Sequence, residues 1–208
     1  MTICHDSLAF EISHHSRKAA PAYTAFSYTW GDGAPTEQIS INGQIFHVRV
    51  SLWSCLYYLG NAVKSSSVSC TYPWVDAICI DQNKSQERNA QVLFMDQIYC
   101  NAIIVSVWLG LPLMPEFVEA QLVNYHKPIK TYEKDGFDWF DSIENLANRS
   151  YWDRFWVIQE CLLGQEVHLY CGNSGVDWLH FKTILGQATN VHDYMFENLN
   201  YARSRSGS

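Results

Sequence analysis

The stretch Asp153-Arg154-Phe155-Trp156-Val157-Ile158-Gln159-Glu160-Cys161-Leu162-Leu163 sets a carboxylate among side chains that are mostly apolar. Read as a helix turning roughly 100° per residue, it is apolar nearly all the way round. A helix of that kind belongs in a core. Glu160 falls one turn beyond Trp156, which leaves it no solvated face, and buried carboxylates are rare unless paired or functional. Two roles fit it. Glu160 can be half of a structural ion pair, with Arg154 or Arg88 as partner, or mark the point where the helix breaks the surface. Alternatively it is a carboxylate at a pocket edge against an aromatic wall, suited to stabilising a developing cation or binding a sugar hydroxyl.

A second constellation lies in Trp74-Val75-Asp76-Ala77-Ile78-Cys79-Ile80-Asp81. Asp76 interrupts a run that reads as a strand buried on both faces, and Asp81 follows that strand, where ligand contacts are expected in an open α/β sheet. Structural roles account for both: Asp76 as acceptor from backbone or Trp, and Asp81 or Asn83 as cap of the next helix. In Trp30-Gly31-Asp32, the glycine either admits a ligand close to the backbone or serves a tight turn. Other chemistries lack their motifs: there is no Cys-x-x-Cys, His-Glu-x-x-His, Walker loop or Gly-x-Ser-x-Gly. The eight histidines are scattered, and the adjacent His14-His15 cannot share a helix face, so no metal ligands are assigned.

The elements that must position these residues alternate. Tyr23 to Trp30 reads as a first strand, closed by the turn signal Gly31-Asp32-Gly33-Ala34-Pro35. Gln38–Ile41 and Ile45–Val50, joined through Asn42-Gly43-Gln44, read as a hairpin, and Ser51 as the cap of a helix to about Val63. Trp74–Ile80 and Ile103–Leu109 read as buried strands, with a helix from about Ser85 to Tyr99 between them. Beyond the poorly patterned Pro115–Phe137, helices are expected at Asp138–Ala147, Asp153–Leu163 and Trp178–Ala188, with a strand at Val167–Tyr170. This predicts an α/β fold with an open, mostly parallel sheet covered by helices on both faces and a small β-hairpin after the first strand.

The 208 residues fit one domain, assigned to 1–200, followed by a low-complexity tail, 201–208, that reads as a linker or chain end. With 14 basic and 21 acidic residues the net charge is −7, which argues against a nucleic-acid backbone or an anionic membrane as partner. Seven cysteines, mostly within apolar runs, read as reduced thiols. The N-terminus lacks the pattern of a signal peptide, and the expected setting is cytoplasmic.

Four blocks in order resemble one family: Tyr28-Thr29-Trp30-Gly31-Asp32; Trp74-Val75-Asp76-Ala77-Ile78-Cys79-Ile80-Asp81-Gln82 with Glu87-Arg88, Gln91-Val92, Met95 and Ile98-Tyr99; Val107-Trp108-Leu109-Gly110; and Arg154-Phe155-Trp156-Val157-Ile158-Gln159-Glu160. Together they look like the HET domain of fungal heterokaryon incompatibility proteins, with Asp81 where the family usually has Asn. The resemblance implies a role in non-self recognition leading to regulated cell death, within a larger receptor-like protein or through self-association. HET domains are in turn similar to TIR domains, which implies a flavodoxin-like sheet of order 2-1-3-4-5. It also implies NAD⁺ cleavage by a glutamate four residues after a Trp, the spacing of Trp156 and Glu160, although Val157 replaces the usual Cys. On that reading Glu160 is catalytic, and Trp30, Gly31, Asp32, Asp81 and Trp156 line the substrate site. Asp76, Arg154, Gln159 and Arg88 then support it, and NAD⁺ is a substrate with no tightly bound cofactor. The competing expectation is a non-enzymatic signalling module in which Glu160 is only structural.

Overall fold

The computed structural model describes residues 8–65, 72–111, 145–154, 156–172 and 174–187. Two sheets organise them. The smaller has the order β1-β3-β4 and joins β1 (Ala9–Phe10), β3 (Glu37–Ile41) and β4 (Gln44–Val48). Its hairpin is the expected one: β3 and β4 run antiparallel from Glu37 opposite Val48 to Ile41 opposite Gln44. Asn42 (φ 51°) and Gly43 (φ 76°) supply the two positive φ angles that a two-residue type I′ turn requires.

The larger sheet has the order β5-β2-β6-β7-β8. It contains β2 (Tyr23–Tyr28), β5 (Tyr72–Trp74), β6 (Ile104–Trp108), β7 (Val167–Cys171) and β8 (Ser174–Asp177). The first four run parallel, and β8 returns antiparallel to β7. Taken in chain order within this sheet, the strands read 2-1-3-4-5. The chain leaves β2 towards β5 and leaves β6 towards β7, so a crevice opens outside the carboxyl ends of β2 and β6, where the winding direction reverses.

Both faces of this sheet are covered, which explains why its central strands read as apolar runs. On one face, α1 (Val50–Ser65) buries Leu52, Cys55, Leu56 and Leu59 at helical spacing against Phe26, Tyr28 and Trp108. On the other lie α4 (Met95–Asn101), α5 (Val157–Leu162) and α6 (Trp178–Gln187). There Met95, Tyr99, Val157, Cys161 and Phe181 pack with Ala25, Val105, Val107 and Leu169. Alternation along each strand sends Ala25 and Ser27 to this second face and Phe26 and Tyr28 to the first.

Several elements depart from the pattern read in the sequence. The run Trp74–Ile80 is not one strand, because it would have to bury Asp76 in the sheet. It ends as β5 at Trp74 and turns into the short helix α2 (Asp76–Cys79). The N–H groups of Ile78 and Cys79 return to the Val75 carbonyl at 3.1 and 2.7 Å, and that of Ala77 donates to Asp76 Oδ1 at 2.7 Å. Ser51 lies inside α1 rather than capping it, and its hydroxyl donates to the Trp30 carbonyl at 2.5 Å. The helix expected over Ser85–Tyr99 is two, α3 (Ser85–Val92) and α4, broken at Phe94, whose backbone is non-helical; Val92 is exposed in consequence. The helix expected from Asp153 begins only at Val157. Residues 112–144 and 188–208 lie outside the described residues, taking with them Pro115–Phe137, most of the helix expected at 138–147 and the tail.

Strand β8 has no counterpart in the sequence reading. It pairs with Tyr170 opposite Gly175, and a Cβ at Gly175 would stand 2.7 Å from the Tyr170 ring. Gly175→Ala should therefore destabilise the chain by about 1–3 kcal/mol through overpacking, read as a lower midpoint in denaturant unfolding. An unchanged midpoint would show that the ring can move aside.

Candidate active site

Glu160 is 1% exposed, on the first turn of α5 facing the sheet. Both its oxygens are engaged. Arg154 grips it bidentately, Nη1 to Oε2 at 3.1 Å and Nη2 to Oε1 at 3.0 Å, and the Ser27 hydroxyl donates to Oε2. Of the two partners foreseen for it, Arg154 is the real one. Arg88 stands exposed on α3. The late start of α5 makes this pair possible: six residues apart on a continuous helix, Arg154 and Glu160 would point roughly 120° apart around the axis, about 9 Å along it, and could not meet. Residues Tyr151 to Arg154 instead form tight turns, in which the N–H groups of Trp152, Asp153 and Arg154 reach the carbonyls of Arg149, Ser150 and Tyr151. The Trp152 ring stacks on Phe181 at 5.9 Å and anchors that turn, so Arg154 folds back over Glu160 with its guanidinium above the Tyr151 ring at 5.4 Å.

The proton inventory fixes the direction of the remaining bonds. Ser27 spends its one hydroxyl proton on Glu160, so in the 2.6 Å contact between Ser27 and Tyr151 the phenol must donate. Cys161 Sγ, 3.4 Å from the same phenol oxygen, is then its donor. A relay Cys161 to Tyr151 to Ser27 to Glu160 thus ends on the carboxylate, and every member of it is buried. Burial pushes the Glu160 pKa up, against the opposing pull of the Arg154 charge and the Ser27 hydrogen bond. Desolvation likewise raises the Cys161 thiol to about 12 and keeps it protonated.

Asp76 and Trp30 form a second group at the same edge of the sheet. Trp30 Nε1 donates to Asp76 Oδ2 at 2.8 Å, and Gln82 Nε2 to the Asp76 carbonyl at 3.0 Å. Burial raises the Asp76 pKa, opposed first by the Trp30 hydrogen bond. Arg49 lies over the Trp30 ring at 5.7 Å, with Nε on the Gly33 carbonyl at 3.0 Å. Tyr28, at the end of β2, packs on the α1 face of the sheet, and burial raises its phenol pKa. Gly31 (φ 68°) passes close to Ser51: a Cβ would come 3.1 Å from its hydroxyl.

The remaining predicted residues are spread more widely. Asp32 is exposed on the loop after β2. Asp81 sits at the surface, bound to Lys84 Nζ at 3.1 Å and to the Asn83 N–H at 3.0 Å, and the lysine bond lowers its pKa. Trp156 is 38% exposed, and its carbonyl accepts the Glu160 N–H. The buried phenols that feel the charge of the Glu160 carboxylate are Tyr99 and Tyr151. The Gln159 side chain and Phe155 lie outside the described residues. Sequence reading missed Ser27, Tyr151 and Cys161. For Ser27 a signal existed: it is a hydroxyl at a core-facing position of an otherwise buried strand.

The sequence profile of the family described as Heterokaryon incompatibility protein (HET) matches residues 23–160, more than half of the chain. The chain belongs to the HET family. The matched segment runs from the first residue of β2 to Glu160, so it holds most of the residues just described. This HET chain is also 36% identical over 98 residues to Heterokaryon incompatibility protein 6, OR allele, of Neurospora crassa. That alignment covers 43% of the chain and 14% of the relative's length. No solved structure matches the HET chain. Among the described residues no group of His, Cys, Asp and Glu is placed to hold a metal ion, and no helix is long and apolar enough to cross a membrane.

The geometry ranks two substitutions. Arg154→Met leaves the Glu160 carboxylate buried without its cation and should cost about 3–5 kcal/mol. Glu160→Gln should cost less, because the amide still accepts from Ser27 and the partly exposed Arg154 can turn to water; denaturant unfolding of both variants checks the order. The pH dependence has a definite sign. A carboxyl whose pKa is raised in the folded state stabilises fully below its unfolded value, near 4.5 for Glu160, and this contribution is lost as pH rises through the folded pKa. Thermal melts of Glu160→Gln should therefore fall less steeply with rising pH above that value than those of the parent chain, and equal slopes would contradict the shift.

Proposed function

We propose that this HET domain acts in heterokaryon incompatibility, as an effector of the regulated cell death that follows fusion of unlike fungal cells. Membership of the HET family supports this, as does the likeness to a relative named for that process. We further propose that it acts by cleaving NAD⁺, in the manner of a TIR-like, flavodoxin-like domain. The observation that carries this is the grouping of Glu160, Arg154 and Ser27 at the carboxyl half of β2, next to the crevice outside the carboxyl ends of β2 and β6. In folds with this strand order, that crevice is where nucleotide ligands bind.

In the proposed step the bond between the ribose carbon and the nicotinamide nitrogen breaks, and its electron pair leaves with neutral nicotinamide. The ribose becomes an oxocarbenium-like cation. An ionised Glu160 in a water-poor site stabilises that cation and orients the ribose hydroxyls. Water then adds to the cation and releases a proton, giving ADP-ribose. Asp76 and Trp30 hold the rim of the crevice. A second reading, a signalling module that works by self-association with Glu160 as a structural charge, is favoured by one observation: the carboxylate is fully paired where it lies.

Nicotinamide release from NAD⁺ by the purified chain, at low and at high protein concentration, separates the two. The cleavage reading expects release that disappears in a Glu160→Gln variant retaining its cooperative melt. Absence of release at every concentration would overturn it in favour of the signalling module.

A further inference from the structure

The grip of Arg154 on Glu160 is asymmetric. Glu160 sits on a helix packed into the core, its side chain 2% exposed; Arg154 comes from a turn outside that helix, and its side chain is 20% exposed. If the pair parts, the arginine moves. The carboxylate would keep the Ser27 hydrogen bond and the relay behind it. What draws Arg154 away must satisfy a planar, bidentate donor better than a carboxylate does, and phosphate oxygens match that fork. A second guanidinium, that of Arg49, lies over the Trp30 ring on the loop after β2.

We propose that Arg154 is a diphosphate-binding residue which, in the unliganded chain, latches Glu160, and that the diphosphate of the substrate releases the carboxylate by taking the guanidinium. The inference rests on the reading of Glu160 as the NAD⁺-cleaving carboxylate. It makes Arg154 a positioning and specificity residue: a ribosyl substrate without phosphates cannot open the site. The uncut dinucleotide brings its own key, which keeps an ionised carboxylate from lying open to other cations in the resting state.

Calorimetric titration of the parent chain, Glu160→Gln, Arg154→Gln and the double variant with ADP-ribose, with adenosine as the uncharged control, tests this by the sign of one effect. Removing the Glu160 charge frees Arg154, so Glu160→Gln should bind ADP-ribose about tenfold more tightly than the parent, the size of one charge-assisted hydrogen bond released from competition. Arg154→Gln and the double variant should both bind it weakly, and adenosine should not distinguish the four chains. A Glu160→Gln affinity equal to or below that of the parent overturns the latch, as does unaltered binding in Arg154→Gln. If Glu160→Gln does not fold, hydrogen exchange on the parent chain decides. Saturating inorganic pyrophosphate should speed exchange of the turn at residues 151–154 and leave 157–162 unchanged, and a turn that does not respond overturns the proposal. The two readings fail separately: tighter binding by Glu160→Gln without nicotinamide release keeps the latch and removes the cleavage, whereas release without that gain does the reverse.

Discussion

A carboxylate with no exposure to water persists only if its charge is answered where it lies, because moving an unpaired ion into a low-dielectric core costs more than any single contact returns. In this HET domain that constraint falls on Glu160, and much of the surrounding architecture follows from it. The helix that carries it must begin late, so that Arg154 can fold back over it. The turn before the helix must be anchored, which the Trp152 ring stacked on Phe181 achieves. The strand beneath must present a hydroxyl to the helix rather than a methyl group, and Ser27 does so within the otherwise apolar face of β2.

The same arrangement joins the sheet to its helices through polar bonds as well as by packing. Tyr99 on α4 donates to the Phe26 carbonyl, Tyr151 donates to Ser27, and Cys161 on α5 reaches Tyr151. These groups close over the carboxyl half of β2. At the rim, Trp30 and Asp76 tie the loop after β2 to the turn after β5. Much of the polar chemistry is thus gathered at the carboxyl end of the parallel strands, while at the amino-terminal end the Tyr23 hydroxyl donates to the Ile98 carbonyl at 2.5 Å.

Much of this was legible in the residues, and the failures have physical causes. Parallel strands covered on both faces read as apolar runs, which is why Ile103–Leu109 and Val167–Tyr170 stood out, and Asn42-Gly43 announced its hairpin. A short apolar run does not say whether it is strand or helix. Trp74–Ile80 was misread on that account, and the carboxylate within it was the signal that the chain must turn there. Strand β8 was missed although Gly172-Asn173, between two short runs, carries the two-residue hairpin signature. Glu160 was visible as a charge without a solvated face. Its choice of Arg154 over Arg88 was not, because it depends on where a helix starts, and boundaries are poorly encoded in local sequence. Ser27 and Tyr151 lie far apart in the chain and meet only through the fold.

The central claim is that Arg154 and Glu160 act as one buried unit on which this end of the domain is built. A double-mutant cycle in denaturant unfolding, using Arg154→Met, Glu160→Gln and the double variant, measures that directly. The account predicts that the double variant is more stable than the sum of the single losses implies, with an interaction energy of about 1–3 kcal/mol. Strict additivity of the two single effects would show that the residues stand beside each other without depending on each other, and would contradict it.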